Sequence, residues 1–430
     1  MKMKLKTLFV IAFLSFGIGI HAQRYMGGDI SMYTKYKEAG SKYYTSSGTQ
    51  ITDLYAFFKE QSMNMLRVRL FVDPTKATSD QRSWGAIQDL DYVKKLGKEI
   101  KDNGFKLLVD IHYSDTWADP SNQWTPDAWK SLSDDELVTK MYDYTKETLQ
   151  VLKDYGAAPD AIQVGNEVSY GMLWGSVGTS TANQKKTTYT DGWQRFANLY
   201  NSASKACREV CPGAKVVLHT ELIRNYNLLT EFYTNATTYA MDYDVVGLSY
   251  YPPYHGTIPN QLRNAVRWLK NNKGTKEVWL VEFAYPAQWA LPGTTKYDMT
   301  STYPYTDAGQ ANLVSAVIAE LNSWDNVTGL FWWWPEANEY GNTGSQITSS
   351  WWNGTLFNNQ NGYAFSAITH LKEFNPTVFT GIDGVSANAN ETSSDPNVYD
   401  LAGRVVSSKD AQGSLPKGIY IIDGKKHAVK

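Results

Sequence analysis

The chain has 430 residues, a formal net charge of −2 and only two cysteines. This length accommodates one large domain with a small addition. No basic stretch dominates, so the composition argues against a nucleic-acid partner, and two cysteines without a nearby histidine do not form a zinc site.

The N-terminus has the pattern of a secretory signal peptide. Residues 1–6 are basic, residues 7–20 are mostly apolar, and His21-Ala-Gln follows. The apolar run is short for a transmembrane helix, and no other segment is apolar enough to span a bilayer. We therefore expect residues 1–22 to be removed from an exported bacterial protein of the periplasm, cell surface or medium.

Strand-like and helix-like segments then alternate eight times. The strand-like runs are apolar throughout, which is typical of parallel strands covered on both faces. They are 26–31, 65–72, 106–112, 161–167, 215–221, 245–251, a run ending near 282, and 329–334. The helix-like segments are 51–60, 89–104, 134–156, 191–210, 226–239, 258–272, 307–324 and 363–374. This order predicts an α/β fold, a (β/α)8 TIM barrel over residues 24–375, with its chemistry at the C-terminal ends of the strands.

Cys207 and Cys211 lie four residues apart at the end of a predicted helix. This spacing puts both on one face, but it strains a disulfide. In an exported protein both free thiols and a local disulfide remain open.

The composition changes after about residue 376. Residues 388–396 are polar and rich in turn formers, and 398–406 and 418–426 have the pattern of β-hairpins. We predict that residues 376–430 are a linker and a small C-terminal β appendage, too short to hold a large core alone.

Two glutamates stand at strand ends of the predicted barrel: Glu167 ends the fourth strand and Glu282 lies near the end of the seventh. A charge at the tip of a buried strand is costly unless it is paired or used. Two carboxylates on one rim are the machinery of glycoside hydrolysis. Asn166 is suited to a sugar 2-hydroxyl, although an Asn-Glu pair can also cap a helix, and Glu282 alone could simply pair with an arginine.

Arg67 and Arg69 lie two apart on the second strand and therefore share a face. A buried arginine needs a carboxylate partner. We expect one of them to hold Glu282 ionised and to lower its pKa. The alternative is a structural ion pair inside the barrel.

Aromatic residues are abundant, with 15 Trp, 29 Tyr and 15 Phe. Their flat apolar faces match the C–H faces of sugars, although each ring could equally be core or a loop anchor. The candidate substrate-binding residues are Asp29, His112, Asp115, Trp117, Trp174, Tyr254, His255 and Trp333, with Trp124 as a further possible subsite. Asp110, His112 and Asp115 superficially suggest a metal, but no zinc motif is present, so we expect no metal.

Seven motifs together resemble a known family. They are Gly28–Ser31, Arg67–Arg69, Asp110–Pro120, Gln163–Val168, Gly171–Trp174, Gly247–Pro252 and Val281–Pro286. They are similar to those of glycoside hydrolase family 53, the arabinogalactan endo-β-1,4-galactanases of clan A, over roughly residues 24–374. His112–Pro120 is a long and unusual string.

The resemblance implies a (β/α)8 fold, a retaining mechanism and β-1,4-galactan as substrate. It puts Glu167 at the acid/base, Glu282 at the nucleophile, Arg67 at a supporting arginine and Trp333 at the last-strand tryptophan. Tyr250 or Tyr251 matches a tyrosine that contacts the nucleophile, and we favour Tyr251. The chain departs from the family pattern at Trp334, at Pro253-Tyr254 and after Trp351, which bears on subsites and product length.

We therefore predict an endo-acting galactanase that needs no cofactor for catalysis. A structural calcium, which some family members carry, is not indicated. The expected partners are galactan and galacto-oligosaccharides, and we expect a monomer. The alternatives are an exo-acting β-galactosidase of the same clan, an inactive galactan-binding protein and a metal hydrolase. The tail is similar to sorting-type tails of secreted Bacteroidetes proteins, but a residual β-domain is equally open.

Overall fold

The computed structural model describes residues 23–176, 183–293, 295–348 and 351–374, and four short strands between residues 397 and 429. The chain divides into two compact units at residue 375. The predicted signal peptide, residues 1–22, lies outside the described residues.

The first unit is a closed barrel of eight parallel strands. Each strand pairs with the next in sequence, and the last pairs with the first. The strands are β1 Tyr25–Asp29, β2 Met65–Leu70, β3 Lys106–Ile111, β4 Ala161–Val164, β5 Lys215–Thr220, β6 Val245–Tyr250, β7 Glu277–Phe283 and β8 Val327–Trp333. The predicted (β/α)8 barrel is confirmed.

Helices follow the strands and cover the outside of the barrel. The main ones are α1 Leu54–Glu60, α2 Leu90–Asp102, α3 Asp134–Tyr155, α4 Gly192–Val210, α5 Tyr226–Thr238, α6 Arg263–Lys273, α7 Asp307–Asn322 and α8 Ala367–His370. Local sequence sets their ends. Helix α3 begins at a capping box in which Ser133 and Glu136 exchange hydrogen bonds, and it ends at Gly156 in the left-handed region.

Shorter elements fill the loops. Helical turns are Tyr33–Ala39, Pro74–Lys76, Ser79–Ser83, Asp127–Trp129, Asn183–Lys185, Leu222–Arg224, Pro252–His255, Ile258–Leu262, Trp352–Gly354 and Leu371–Glu373. Tyr43–Tyr44 and Gln50–Ile51 form a small hairpin between β1 and α1. No helix among the described residues is long and apolar enough to cross a membrane.

The predicted closing helix over 363–374 is wrong in its first half. Tyr363 and Ala364 form isolated bridges with Tyr44 and Phe357, so their backbone groups are used in extended pairing. Helix therefore starts only at Ala367.

The interior of the barrel has an apolar layer near the N-terminal ends of the strands. Each strand contributes at least one side chain to a separate buried cluster. Its members are Tyr25, Met65, Leu108, Ala161, Val217, Val245, Trp279, Val281 and Phe331. Most inward positions beyond this layer, toward the C-terminal ends, are polar or charged, such as Arg67, Gln163 and His219.

A β-bulge in β7 changes which side chains face inward. Leu248 of β6 pairs with Leu280, but the next residue, Ser249, pairs with Glu282. Val281 belongs to the interior cluster, so strict alternation would turn Glu282 outward. The extra residue returns Glu282 to the interior, as bulges beside active sites do.

Cys207, on α4, and Cys211, which follows it, are both buried free thiols. The disulfide that the sequence left open is not formed. Burial raises the pKa of both thiols, so neither is a reactive thiolate.

The second unit contains a four-stranded antiparallel sheet. Its strands are β9 Asn397–Tyr399, β10 Val405–Ser408, β11 Gly418–Ile422 and β12 Lys425–Val429. Strand β9 pairs with both β10 and β11, so the two hairpins join in one sheet. Val398 is buried in it.

Candidate active site

Glu167 and Glu282 meet at the C-terminal mouth of the barrel. Glu167 stands three residues beyond β4, and its φ of 46° lies in the left-handed region, which is uncommon for a residue with a side chain. Glu282 is inside the barrel because of the bulge in β7. A carboxylate oxygen of Glu167 and one of Glu282 lie within 4.8 Å of each other. Both carboxyl groups therefore face the same space at the mouth.

Glu282 has two strong hydrogen-bond donors. An Nη2 group of Arg67 lies 2.9 Å from its Oε1, and the Tyr251 hydroxyl lies 2.8 Å from its Oε2. Tyr250 instead donates to the carbonyl of Gly256, so Tyr251 is the tyrosine at this carboxylate. Burial raises the pKa of Glu282, and Arg67 and Tyr251 oppose that rise. Arg67 thus lowers the pKa of Glu282 as expected, but burial outweighs this effect and the pKa stays above its usual value.

Among the described residues, no cationic side chain forms an ion pair with Glu167. Its Oε1 accepts a hydrogen bond of 2.6 Å from the Ser249 hydroxyl. Burial and the neighbouring charges of Glu282 and Glu221 raise the pKa of Glu167 well above its usual range. The two carboxyl groups are thus unequal: Glu282 is supported as an anion, whereas Glu167 is favoured as the protonated acid.

Arg67 is the centre of the polar network below the glutamates. It donates to Asp29 at 2.8 Å, to Asp110 at 2.7 Å and to Asn166 at 3.1 Å, in addition to Glu282. Burial disfavours its charge, but these carboxylates more than compensate and raise its pKa. Burial acts to raise the pKa of Asp110, yet Arg67 and His112 bring it down to about 2.

Arg69 serves a different part of the mouth. It pairs with Asp29 at 2.6 Å, and its guanidinium carbon lies 4.8–5.2 Å from the ring centres of three tryptophans, Trp117, Trp333 and Trp334. The latter two rings are stacked with their planes 12° apart. Cation–π contact of this kind holds the indole rings in place.

A cleft of about 410 Å³ opens above the two glutamates. Both Glu167 and Glu282 line it. The other lining residues are Gln81, Trp84, Trp117, Ala118, Asp119, Asn122, Asn166, Tyr251, Trp333, Trp334 and Trp351. The concentration of indole rings around two carboxylates suits a carbohydrate ligand.

Of the predicted substrate contacts, Trp117 and Trp333 line the cleft. Asn166 also lines it, with its amide nitrogen bound to the carbonyl of Ala118. Tyr254 and His255 are outside the lining. Tyr254 bonds to the carbonyl of Pro292.

His255 supports Tyr251. Its Nδ1 accepts from the backbone N–H of Tyr251 at 3.1 Å, and burial lowers the pKa of His255 to about 3. His255 is therefore neutral, and it positions Tyr251 instead of lining the cleft.

Four further candidates are separated from the cleft. Asp29 is fully buried below it between the two arginines. His112 is buried with its Nδ1 accepting from Ala118. Asp115 accepts from the backbone N–H groups of residues 73 and 127 and so joins two loops. Trp174 is fully buried and contacts the ring of Trp124 edge to face. It is therefore a core residue, which was the alternative to a sugar-binding role.

Sequence reasoning missed several residues of the site. Trp84 and Trp351 line the cleft, and Trp84 is 45% exposed. A tryptophan in the otherwise polar stretch 78–85 was an available signal. Gln163, His219 and Ser249 form the hydrogen-bond layer at the glutamates. The inward register of β4, β5 and β6 could have found them.

Glu167, His219 and Glu282 form a group with ligand atoms close enough to hold a metal. Both ring nitrogens of His219, however, already contact protein partners, Gln163 at Nδ1 and Ser249 at Nε2. The donor set therefore fits a hydrogen-bond network better than a metal site. That catalysis needs no metal remains a prediction.

Comparison with known proteins bears on this arrangement. The model of Glycosyl hydrolase family 53 matches residues 25–371. An arabinogalactan endo-beta-1,4-galactanase of Humicola insolens is 29% identical, over 81% of this chain and 98% of the relative. An endo-beta-1,4-galactanase of Bacillus subtilis is 31% identical, over 74% and 71%. The solved GH53 catalytic domain of Ignisphaera aggregans has a TM-score of 0.69 and 30% identity, covering 83% of this chain and 98% of that one.

Proposed function

The chain belongs to glycosyl hydrolase family 53, and from this premise we propose that it is a retaining endo-β-1,4-galactanase acting on galactan and type I arabinogalactan. The observation that carries the mechanism is the spacing of the two carboxylates, with oxygens within 4.8 Å. Retaining glycosidases hold their carboxyl groups about 5–5.5 Å apart, whereas inverting ones need about 6.5–9.5 Å.

In the first step Glu167 acts as the acid. Its proton passes to the glycosidic oxygen, the bond from that oxygen to the anomeric carbon breaks, and the leaving chain departs as a neutral alcohol. The carboxylate of Glu282 attacks the anomeric carbon and forms a glycosyl-enzyme. Arg67 and Tyr251, both bonded to Glu282, orient it for this attack.

In the second step Glu167 acts as the base. It removes a proton from water, which attacks the anomeric carbon and releases Glu282. Two displacements on opposite faces restore the β configuration. Glu167 must change protonation state between the steps, which its raised pKa supports.

Substrate identity rests on the relatives. Both curated relatives described above are galactanases by name, and the indole-lined cleft offers stacking surfaces for sugar rings. We further propose that the protein is exported by the signal peptide at residues 1–22, that it works as a monomer and that galactan of pectin side chains is its source. Residues 376–430 are proposed as a sorting-type tail.

Product analysis on linear β-1,4-galactan tests the proposal. Mid-length oligomers early in the reaction are expected for endo action, with the β-anomer appearing first by ¹H NMR. Galactose or galactobiose alone from the start would indicate exo action, and α-anomers first would indicate inversion.

Two glutamine variants complete the test. Glu167→Gln should lose about 10²–10⁴-fold in rate on galactan, the usual contribution of general acid–base catalysis. Glu277→Gln is the matched control, because Glu277 lies on β7 like Glu282 but at its N-terminal end, and it should retain activity. Unchanged hydrolysis by Glu167→Gln, or no hydrolysis by the unmodified protein, would refute the assignment.

A further inference from the structure

Ser249 lies between the two proposed catalytic carboxylates and is close enough to bond to either of them. It is on β6, fully buried. Its Oγ lies 2.6 Å from Oε1 of Glu167 and 3.3 Å from Oε2 of Glu282. A hydroxyl has only one proton to donate. If the Ser249 oxygen accepts a hydrogen bond from another group, its own proton is available for one of the two carboxylates.

His219 on β5 settles the direction of this hydrogen bond. The backbone N–H of Glu167 lies 3.2 Å from Nδ1 of His219, and Nε2 of Gln163 lies 2.9 Å from the same atom. Oδ1 of Asn166 also lies 3.1 Å from Nδ1, but that oxygen already accepts from Arg67 and Gln163. Because a backbone N–H can only donate, Nδ1 is an acceptor. Burial, with Arg67 nearby, lowers the pKa of His219 well below its ordinary value. The ring is therefore neutral and carries its one proton on Nε2.

Nε2 of His219 is 2.9 Å from Oγ of Ser249. Since Nε2 donates, the serine oxygen accepts from the histidine and its proton is free to go to a carboxylate. The distances select Glu167 over Glu282. A directed loop results, from the main-chain N–H of Glu167 through His219 and Ser249 back to the Glu167 side chain.

We propose that Ser249, oriented by His219, is a positioning residue that fixes which oxygen of Glu167 carries the catalytic proton. Because Oε1 is held as an acceptor, the acidic proton resides on Oε2. The loop also ties the side chain to its own backbone, whose φ of 46° turns the residue into the mouth. This inference rests on the proposed function, since it gives Glu167 the role of acid.

The loop has a second consequence for Glu167. A hydrogen bond donated to a carboxylate favours the ionised form, and Ser249 lowers the pKa of Glu167 against the larger effect of burial. Ser249 thus keeps Glu167 able to lose its proton when it must act as base. Removing the hydroxyl should raise the pKa of Glu167 further. The proton could then reside on either carboxyl oxygen.

Ser249→Ala tests the inference. We expect kcat on galactan to fall about 10- to 100-fold, a part of the acid–base contribution, with KM nearly unchanged. The basic limb of the kcat/KM profile should move to higher pH. On an aryl β-galactoside with a dinitrophenolate leaving group, which needs no proton, the formation of the glycosyl-enzyme should be nearly unaffected.

Ser204→Ala is the matched control. Ser204 is also fully buried and donates to a carboxylate, that of Asp242, on the outside of the barrel. It should leave kcat and the pH profile unchanged. Ser249→Thr keeps the hydroxyl, so its pH profile should lie closer to that of the unmodified protein than the profile of Ser249→Ala does. Equal behaviour of Ser249→Ala and Ser204→Ala in folded protein would overturn the inference.

A titration separates this inference from the proposed function. Carboxyl ¹³C NMR of glutamate-labelled protein, with Glu167→Gln to assign the signal, reports the pKa of Glu167 whether or not galactan is hydrolysed. Ser249→Ala should raise that pKa. An unchanged titration contradicts the role of Ser249, whereas inactivity of the unmodified protein contradicts only the galactanase assignment.

Discussion

The two ends of the barrel interior are built by the same alternation of side chains and differ in chemistry. Near the N-terminal ends of the strands the inward positions are apolar, for example Met65 on β2 and Trp279 on β7. Two residues beyond Met65 on the same strand, the inward position is Arg67, in contact with three buried carboxylates.

The difference shows how one strand can serve two purposes. Burial of apolar side chains stabilises by roughly 25 cal/mol per Å² without any exact partner. Burial of a charge costs several kcal/mol unless opposite charges and hydrogen bonds compensate it. The apolar end can therefore accept substitutions of similar volume, while at the polar end each residue depends on its neighbours.

Loss of Glu282, the proposed nucleophile, should have the largest effect on activity and a small one on stability. Glu282→Ala should lower kcat on galactan by about 10⁴-fold or more, whereas Arg67 keeps Asp29 and Asp110 as partners. Initial rates measure the effect on activity, and thermal melting measures the effect on stability. External azide should then enter on the free face and yield the α-galactosyl azide.

Retention of more than a few per cent of the rate by Glu282→Ala would contradict the assignment of the nucleophile. A large loss of thermal stability would instead contradict the view that the polar end is organised by Arg67 and not by Glu282.

Loss of Arg67 should destabilise the polar end of the barrel interior, because Arg67 is bonded to three buried carboxylates there. Arg67→Met leaves Asp29, Asp110 and Glu282 without their shared partner and should cost about 3–5 kcal/mol in the free energy of unfolding. Urea denaturation measures it. Arg263→Met is the control, because Arg263 pairs with Glu320 in a partly exposed site, and its loss should cost much less than the loss of Arg67.

The cost of Arg67→Met should also depend on pH. The pKa of Asp110 is about 2 in the folded protein and about 3.9 in an unfolded chain. A carboxyl with a depressed pKa stabilises the fold above its unfolded pKa, and that contribution is lost as the pH falls toward 2. The difference between wild type and variant should therefore shrink in acid; a constant difference would mean that packing, not charge, is lost.

Met65→Ala tests the apolar end on the same strand. It removes buried volume and should cost about 3 kcal/mol, with no pH dependence because no titratable group loses a partner. Activity per folded molecule should remain near that of wild type. Urea denaturation at two pH values and initial rates provide the measurements. A pH-dependent loss here would show that the two ends are not energetically separate.

The sequence was sufficient for the apolar pattern and its consequences. Eight apolar runs predicted the barrel, and the rule that chemistry lies at the C-terminal rim placed Glu167 and Glu282 together. These inferences depend only on local periodicity and on topology.

The arrangement of side chains at the polar end was harder to predict from the sequence. Alternation alone would send Glu282 outward, and only the bulge at Val281 brings it inside. Trp174 resembled a sugar platform, but long-range packing buries it. The direction of the His219–Ser249 hydrogen bond depends on a backbone N–H from another strand end, which no residue pattern encodes.

Glu336 is a further carboxyl near Asp29 that is not bonded to Arg67. Glu336 is fully buried; its Oε1 accepts from the backbone of Met32, and its Oε2 has no hydrogen-bond partner among the described residues. Burial, together with Asp29, raises the pKa of Glu336 well above its usual range. A carboxyl with a raised folded pKa stabilises the fold only below its unfolded pKa of about 4.3, and this contribution is lost as the pH rises.

Glu336→Gln should therefore stabilise the protein more at pH 7 than at pH 4. Glu320→Gln should act in the opposite direction, because Arg263 lowers the pKa of Glu320 against the effect of burial. Unfolding free energies at the two pH values measure both. If Glu336→Gln gains nothing at pH 7, the polar end already compensates this carboxyl. If it gains as expected, burial of Glu336 is a cost at the polar end that the pairing around Arg67 leaves in place.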